Sequence, residues 1–288
     1  SFECKHGRIG GGDPVILAFG RYGGQALTEQ SDLDLVFLFS GSHEAMSDGD
    51  SPLPATSYFN RFFQRVTSAL TVPTAAGPLY EVDTRLRPSG AQGLLAVSID
   101  SFATYQKSAA WAWEHMALTR ARIVTGTDHS DEVRAAIAGG LRQERDRSKL
   151  KNDIAAMRAD MEKAHPFSGS MDVKRGRGGL IDLEFLIHHQ QLKKLTGFHP
   201  DLREALTQLI DHSLLPEALL KAHDVLASYL IMSRLVEGAV EGPGNAATRA
   251  LVARSCDAKD WTTLKREIAS ARKTVATAWT HDFGRKWT

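Results

Sequence analysis

Apolar and polar positions change their period partway along this chain. In the first third, VILAF (15–19) and LDLVFLF (33–39) are short apolar runs that read as buried strands. LYEVDTRLR (79–87) alternates, with Tyr80, Val82, Thr84 and Leu86 on one face and Glu81, Asp83, Arg85 and Arg87 on the other. LLAVS (94–98) follows the turn PSGAQG as a further strand. Between these runs Phe59, Phe62, Phe63, Val66 and Leu70 recur at helical spacing, and Phe102, Tyr105, Trp113 and Met116 mark a second helix. Beyond Gly126 only helical patterns remain, over 141–164, 180–195, 202–240 and 262–281. Their breaks are expected at Gly139-Gly140, His165–Ser170, Gly197–Pro200 and Gly242–Gly244. The pattern predicts an α+β chain: a head with a mixed sheet over 1–130 and an all-helical bundle over 131–288.

Bulk properties narrow the function classes. The 288 residues carry 42% hydrophobic and 24% charged side chains with a net charge of +1, an ordinary globular composition. That balance gives no electrostatic case for nucleic acid or a membrane surface as partner. No apolar run approaches the roughly 20 residues of a membrane span, and SFECKHGRIGGGD lacks a signal-peptide core. Cys4 and Cys256 lie far apart with neither metal nor disulfide spacing, which suits a reducing cytoplasm. The start at Ser1 fits a piece of a longer polypeptide.

The candidate chemistry lies where acids interrupt a buried strand. Asp32 and Asp34 are two apart, so in a strand both carboxylates point to one face while Leu33 and Leu35 point to the other. Adjacent acids repel unless something neutralises them, and hard divalent cations such as Mg²⁺ do so. The same string also occurs in solvated turns, and spacing alone leaves the two readings level. The insert Gly20-Arg21-Tyr22-Gly23-Gly24 follows a strand directly. It is either a tight turn or a place where backbone N–H groups meet an anion. The charged face of 79–87 is either a solvated sheet face or a third metal carboxylate, Asp83, beside Arg85 and Arg87 as triphosphate ligands.

Four strings, AFGRYGGQALTEQSDLDLVFLF, YEVDTRLRPSGAQGLL, AWEHMALTRARIV and DVKRGRGGLIDLEF, occur in order over roughly residues 18–185. Together they resemble the signature blocks of glutamine synthetase adenylyltransferases, members of the polymerase β-like nucleotidyltransferase superfamily. RLRPSGAQG and AWEHMAL resemble the C-terminal, adenylylating half of those bifunctional enzymes. The resemblance implies AMP transfer from ATP to a tyrosine of glutamine synthetase, in regulation of nitrogen assimilation. It implies two Mg²⁺ ions held by Asp32, Asp34 and Asp83 as the catalytic and metal-binding trio. Gly20, Arg21, Gly23, Gly24, Ser31, Arg85 and Arg87 would bind the nucleotide. Glutamine synthetase would be the partner, with a PII-type nitrogen signal protein as a further one. Two positions depart from the family pattern: Arg21 stands where Lys is usual and Ala26 where Glu is usual. Rival readings are the deadenylylating, phosphorolytic half, a uridylyltransferase-type relative acting on a signalling protein, and a silent docking module.

A second motif, DVKRGRGG, runs into LIDLEFLIHHQQL and forms a basic, Gly-rich loop at a helix start, a favourable anion site. The family block points Lys174, Arg175, Gly178 and Gly179 toward the cleft, while Asp182 and Glu184 read as acids complementing the helix dipole. His188 and His189 are adjacent, about 100° apart on a helix, and read as surface or interface groups rather than joint metal ligands. Trp111, Trp113, Trp261, Trp279 and Trp287 read as core. No nucleophile set and no zinc spacing stands out.

Overall fold

In the computed structural model, which describes residues 2–28, 31–75, 77, 80–167, 169–236 and 244–284, the chain forms two compact units, Ser1–Gln143 and Glu144–Thr288. The first contains, in order, α1 (Phe2–His6), β1 (Pro14–Ala18), α2 (Gly20–Gly23), β2 (Leu33–Phe39), α3 (Ala55–Thr71) and β3 (Val82–Asp83). There follow β4 (Ala96–Ser98), α4 (Ile99–Ser108), α5 (Ala112–Leu118), β5 (Arg122–Thr125) and α6 (Ser130–Leu141). The sheet is mixed and centred on β2. Along one edge of β2 runs β1, antiparallel, with β5 antiparallel beyond it. Along the other edge β3 lies parallel to Leu33–Asp34 and β4 parallel to Phe37–Phe39.

Burial explains the sequence of β2. Leu35, Phe37 and Phe39 join Phe59 and Phe63 of α3 in one core, with Phe37 stacked on Phe63 at 4.4 Å and Phe39 on Phe59 at 4.6 Å. Val36 and Leu38, facing the other way, are fully buried as well. A strand covered on both faces reads as a continuous apolar run, and only its first turn of pleat can carry acids. Asn60 of α3 completes the edge of β4: its side chain donates to the Ala96 carbonyl at 3.0 Å and accepts from the Ala96 N–H at 3.1 Å.

Several local expectations are corrected. The strand expected over 79–87 has only Val82–Asp83 in the ladder; Leu79 lies outside the described residues. It ends because the Asp83 carboxylate accepts the Arg85 N–H at 2.8 Å and turns the chain. The helix expected through Phe102 and Met116 is two helices, broken at Ala109–Trp111. Buried Glu114 accepts from the Trp111 N–H at 2.8 Å and the Tyr105 hydroxyl at 2.9 Å. That cap turns Trp111 outward, 70% exposed, and leaves Trp113 40% exposed, so neither is core. Gly139-Gly140 is no break: both lie inside α6, where a Cβ on Gly140 would sit 2.9 Å from Leu118 and 3.0 Å from Gln106. Gly140 is a packing contact, and α6 belongs to the first unit, whose limit is Gln143. Strand β5, only partly buried, had no apolar run to announce it.

The second unit is helical among its described residues: α7 (Arg147–Ala164), α8 (Leu180–Lys194), α9 (Leu202–Asp211), α10 (Ala218–Val236), α11 (Ala246–Ser255) and α12 (Trp261–Phe283). Helix α12 packs on α8 and α10, and its Leu264, Ile268, Val275 and Trp279 are all nearly or fully buried. Asp146, Asp201, Asn245 and Asp260 cap four helix starts through their side chains. Trp261 is half-buried, and Trp287 lies outside the described residues. His188 and His189 are buried, not surface groups. His189 Nδ1 bonds the Asp282 carboxylate of α12, and His188 Nδ1 lies 3.0 Å from Gln191 Oε1.

Asp182, read as an acid complementing the helix dipole, has a further role. It is fully buried, accepts from Arg158 Nε at 2.5 Å and from the Gly178 N–H at 2.5 Å, and burial raises its pKa. Arg158, also buried, donates on to the Arg175 carbonyl at 2.9 Å. The basic loop before α8 is thus held from inside by an ion pair. Arg158→Ala leaves that carboxylate buried and uncompensated and is expected to cost about 3–5 kcal/mol in chemical denaturation. The double change Arg158→Met with Asp182→Leu removes both charges and should recover most of that loss.

Candidate active site

Three elements build the acid cluster: the first residues of β2, the short β3 beside it, and the turn that enters α2. Asp34 and Asp83 are register partners across the parallel β2–β3 pair. The ladder fixes that pairing through the Leu33 N–H, which donates to the Glu81 carbonyl at 2.8 Å. On the other edge the Phe19 N–H donates to the Asp34 carbonyl at 2.9 Å. Asp32 stands exposed just before the strand, whereas Asp34 is half-buried. Of the two acids that act on Asp34, Asp83 on the neighbouring strand has the larger electrostatic effect and Asp32 the smaller.

Gly20 is the other fixed point. Its φ of +53° is left-handed, and a Cβ placed there would fall 2.0 Å from Asp34 Oδ2. The turn between β1 and α2 thus packs its backbone against the Asp34 carboxylate, which no other residue type allows. Gly23 and Gly24 have a different reason for being small. A Cβ would strike the Arg120 carbonyl at 2.1 Å from Gly23 and the Arg120 guanidinium at 2.3 Å from Gly24.

Two arginines beyond the sequence-derived candidates support this turn. Arg120 is buried against Gly24, and its positive field lowers the Asp34 pKa. Arg122 of β5 donates to the carbonyls of Gly23 at 3.1 Å and Tyr22 at 2.9 Å, and its guanidinium lies 5.2 Å from the Tyr22 ring centroid. A cation at the carbonyl end of α2 satisfies groups left open by so short a helix. Both residues lie in LTRARIV, a stretch quoted for the resemblance, but nothing in their spacing marked them as neighbours of Asp34.

The remaining candidates divide. Ser31 is buried, with its hydroxyl 3.0 Å from the Thr28 N–H and 2.9 Å from the Thr28 hydroxyl, closing the turn into β2. Arg21 is half-buried in α2, and its carbonyl accepts from Ala26 N–H at 2.9 Å. Exposed Arg85 grips Asp83 with Nε 3.0 and 2.9 Å from the two oxygens and Nη2 2.5 Å from Oδ2. Arg87 spends its donors on its own loop, on the carbonyls of Thr84 at 2.8 Å, Gly93 at 3.2 Å and Ala91 at 3.3 Å. It braces the RPSGAQG turn. Lys174, Arg175, Gly178 and Gly179 lie in the second unit, in the loop tied down by Arg158 and Asp182. Arg272 also donates to that loop, at the Arg177 carbonyl, 3.0 Å away.

The electrostatics show what the acids lack. Burial, then Asp83, then Asp32 push the Asp34 pKa up to about 6, against opposing fields from Arg120 and Arg85. The Asp83 pKa is lowered, chiefly by its hydrogen bonds from Arg85. Among the described residues no three acid, imidazole or thiol groups form a ready ion cage, and Asp83 faces a guanidinium. The donor chemistry still fits Mg²⁺: carboxylate oxygens crowded on paired strand ends, one of them undercompensated.

Two outcomes follow for the folded chain. Gly20→Ala must displace the Asp34 carboxylate or the turn, and is expected to lower stability by about 1–3 kcal/mol in thermal unfolding. The raised Asp34 pKa means the folded chain binds an extra proton between roughly pH 4 and pH 6, so stability falls as pH rises through that window. In chelator at pH 8, Asp34→Asn should therefore be more stable than the parent by about 1–2 kcal/mol, allowing for solvent screening. The gain should vanish near pH 4. Equal stability at both pH values would show that the acids do not strain one another.

Comparison with known proteins bears on residues throughout the chain. Residues 4–136 match the family profile of glutamate-ammonia ligase adenylyltransferase. The bifunctional glutamine synthetase adenylyltransferase/adenylyl-removing enzyme of Mesorhizobium japonicum is 47% identical over 198 residues, covering 68% of this chain and 20% of that protein. The enzymes of the same name from Xanthobacter autotrophicus and Agrobacterium fabrum are each 37% identical across 96% of this chain, and 29% of their own length is covered. The chain thus spans less than a third of the length of these curated relatives. The matched profile falls within the acid-bearing unit and the longer alignments take in most of the chain, so the chain is similar to glutamate-ammonia ligase adenylyltransferases in its first unit and to the bifunctional enzymes along nearly its whole length.

Proposed function

We propose that this chain transfers AMP from ATP to a tyrosine of glutamine synthetase, using Asp32, Asp34 and Asp83 to hold two Mg²⁺ ions. The observation that carries the reading is the Asp34–Asp83 register pair, backed by Gly20, in a chain whose relatives are named for adenylylation and its reversal. When bound, such ions make an attacking oxygen more nucleophilic and stabilise a leaving pyrophosphate. In the reaction the tyrosine oxygen forms a bond to the α-phosphorus, the bond to the β-phosphate oxygen breaks, and the hydroxyl proton is released.

The chain's own groups supply position and field. The ladder and Gly20 hold Asp34 without side-chain freedom to wander, which is the preorganisation that transfer chemistry rewards. Arg120 sets the charge balance behind it. Gly20, Arg21, Gly23, Gly24 and Ser31 form the turn we assign to the nucleotide, and exposed Arg85 is the cation we assign to its phosphates. Arg87 acts at one remove, by holding the loop after β3. No helix among the described residues is long and apolar enough to cross a membrane. A PII-type signal protein as a partner belongs to the same proposal, and addition of one to the assay below tests it.

Labelled ATP, Mg²⁺ and purified glutamine synthetase form the direct assay. Asp34→Asn and Asp83→Asn should each lower AMP attachment on the order of 10²-fold or more, about 3 kcal/mol of barrier. Glu81→Gln should do less, because Glu81 enters the site through its backbone carbonyl while its side chain is exposed. Near-normal turnover in Asp34→Asn would overturn the assignment. Direction is read from the same preparation: attachment with ATP should exceed phosphate-dependent release of AMP from modified glutamine synthetase. The reverse ratio would make this the adenylyl-removing half.

A further inference from the structure

We infer that Arg85 is a displaceable counter-ion, occupying the Asp83 carboxylate until a divalent cation takes that place. The inference rests on the assignment of Asp83 as an ion ligand. Three observations carry it. Both Asp83 oxygens are engaged by one guanidinium, and the Arg85 N–H binds Oδ1 as well. The Asp83 side chain is largely covered, at 18% exposure, while that of Arg85 is 79% exposed, and among the described residues its guanidinium hydrogen bonds go to Asp83. Asp34, the register partner of Asp83, receives no such two-pronged guanidinium contact among the described residues.

A carboxylate has a limited set of lone pairs, and a bidentate guanidinium and a hard cation compete for the same ones. An ion shared by Asp34 and Asp83 therefore requires Arg85 to let go. The cost is small, since the guanidinium is solvent-exposed and water replaces the partner it gives up. The consequence is directional: the freed guanidinium lies two residues along the chain from the ion's ligand, on an exposed side chain suited to bidentate phosphate contact. Arg85 thereby keeps Asp83 neutralised in the resting chain and makes cation uptake compete with an internal cation. Removing it should weaken nothing at the ion itself. It should tighten the ion.

Mn²⁺ titrated into this chain without nucleotide, followed by electron paramagnetic resonance, gives a readout independent of turnover. Arg85→Ala is expected to bind Mn²⁺ roughly three- to tenfold tighter than the parent, because both the competing donor and its repulsion are gone. Arg85→Lys keeps the charge without the fork and should fall between the two. A merely structural role for Arg85 would leave the affinity unchanged or reduce it, and either result overturns the inference. Asp83→Asn serves as the control on the underlying assignment. If it abolishes Mn²⁺ binding while Arg85→Ala leaves affinity unchanged, the ion site stands and the counter-ion role falls. If Asp83→Asn leaves Mn²⁺ binding intact, the assignment of Asp83 falls, and the role of Arg85 with it.

Discussion

Two carboxylates held in register on neighbouring parallel strands repel each other, and much of the first unit is arranged around that repulsion. Asp34 cannot move away along the strand, because the Phe19 N–H on one edge and β3 on the other pin its backbone. It cannot move back, because the Gly20 backbone fills that space. The fold answers with cations placed at different depths, Arg120 buried behind Asp34 and Arg85 at the surface on Asp83. Asp34 nonetheless retains a pKa near 6. A protein that kept such a pair for stability alone would have little reason to, since an apolar or amide replacement costs less.

The supports for this cluster come from the packing of the sheet. Phe37 and Phe39 anchor β2 to α3, and that fixes where the first residues of the strand emerge. Arg122 ties the end of α2 to β5, across about a hundred residues of sequence, so the turn carrying Gly20 cannot lift off. Arg87 does a similar job for the loop after β3. In each case a charged side chain serves backbone carbonyls, and the carboxylates meet because of it. The second unit uses the same device in Arg158, which joins Asp182 to the Arg175 carbonyl beneath the basic loop.

The sequence by itself determined the fold class, the two long strands of the head, the Phe-lined helix and the helical second half. These rest on period and continuous burial, which are local properties of a chain. It also offered Asp32, Asp34 and Asp83 as candidates, though spacing alone left a solvated turn and a solvated sheet face open, and it was the four ordered strings that pointed to the family. Tertiary structure decided the rest. Period two over 79–87 suggested a long strand, but the Asp83 side chain turns the backbone after two paired residues. Gly139-Gly140 looked like a break until Leu118 and Gln106, distant in sequence, were found to need the space. Trp111 looked apolar enough for the core, yet a buried Glu114 turns it outward. His189 looked like a surface or interface group and Asp182 like a helix-dipole acid, yet each is buried with a partner more than twenty residues away. Arg120 and Arg122 lay in one of the quoted strings, but no spacing tied them to Asp34. A side chain's spacing is written in its own segment, whereas its charge partner and its free volume are set by segments that only folding brings near.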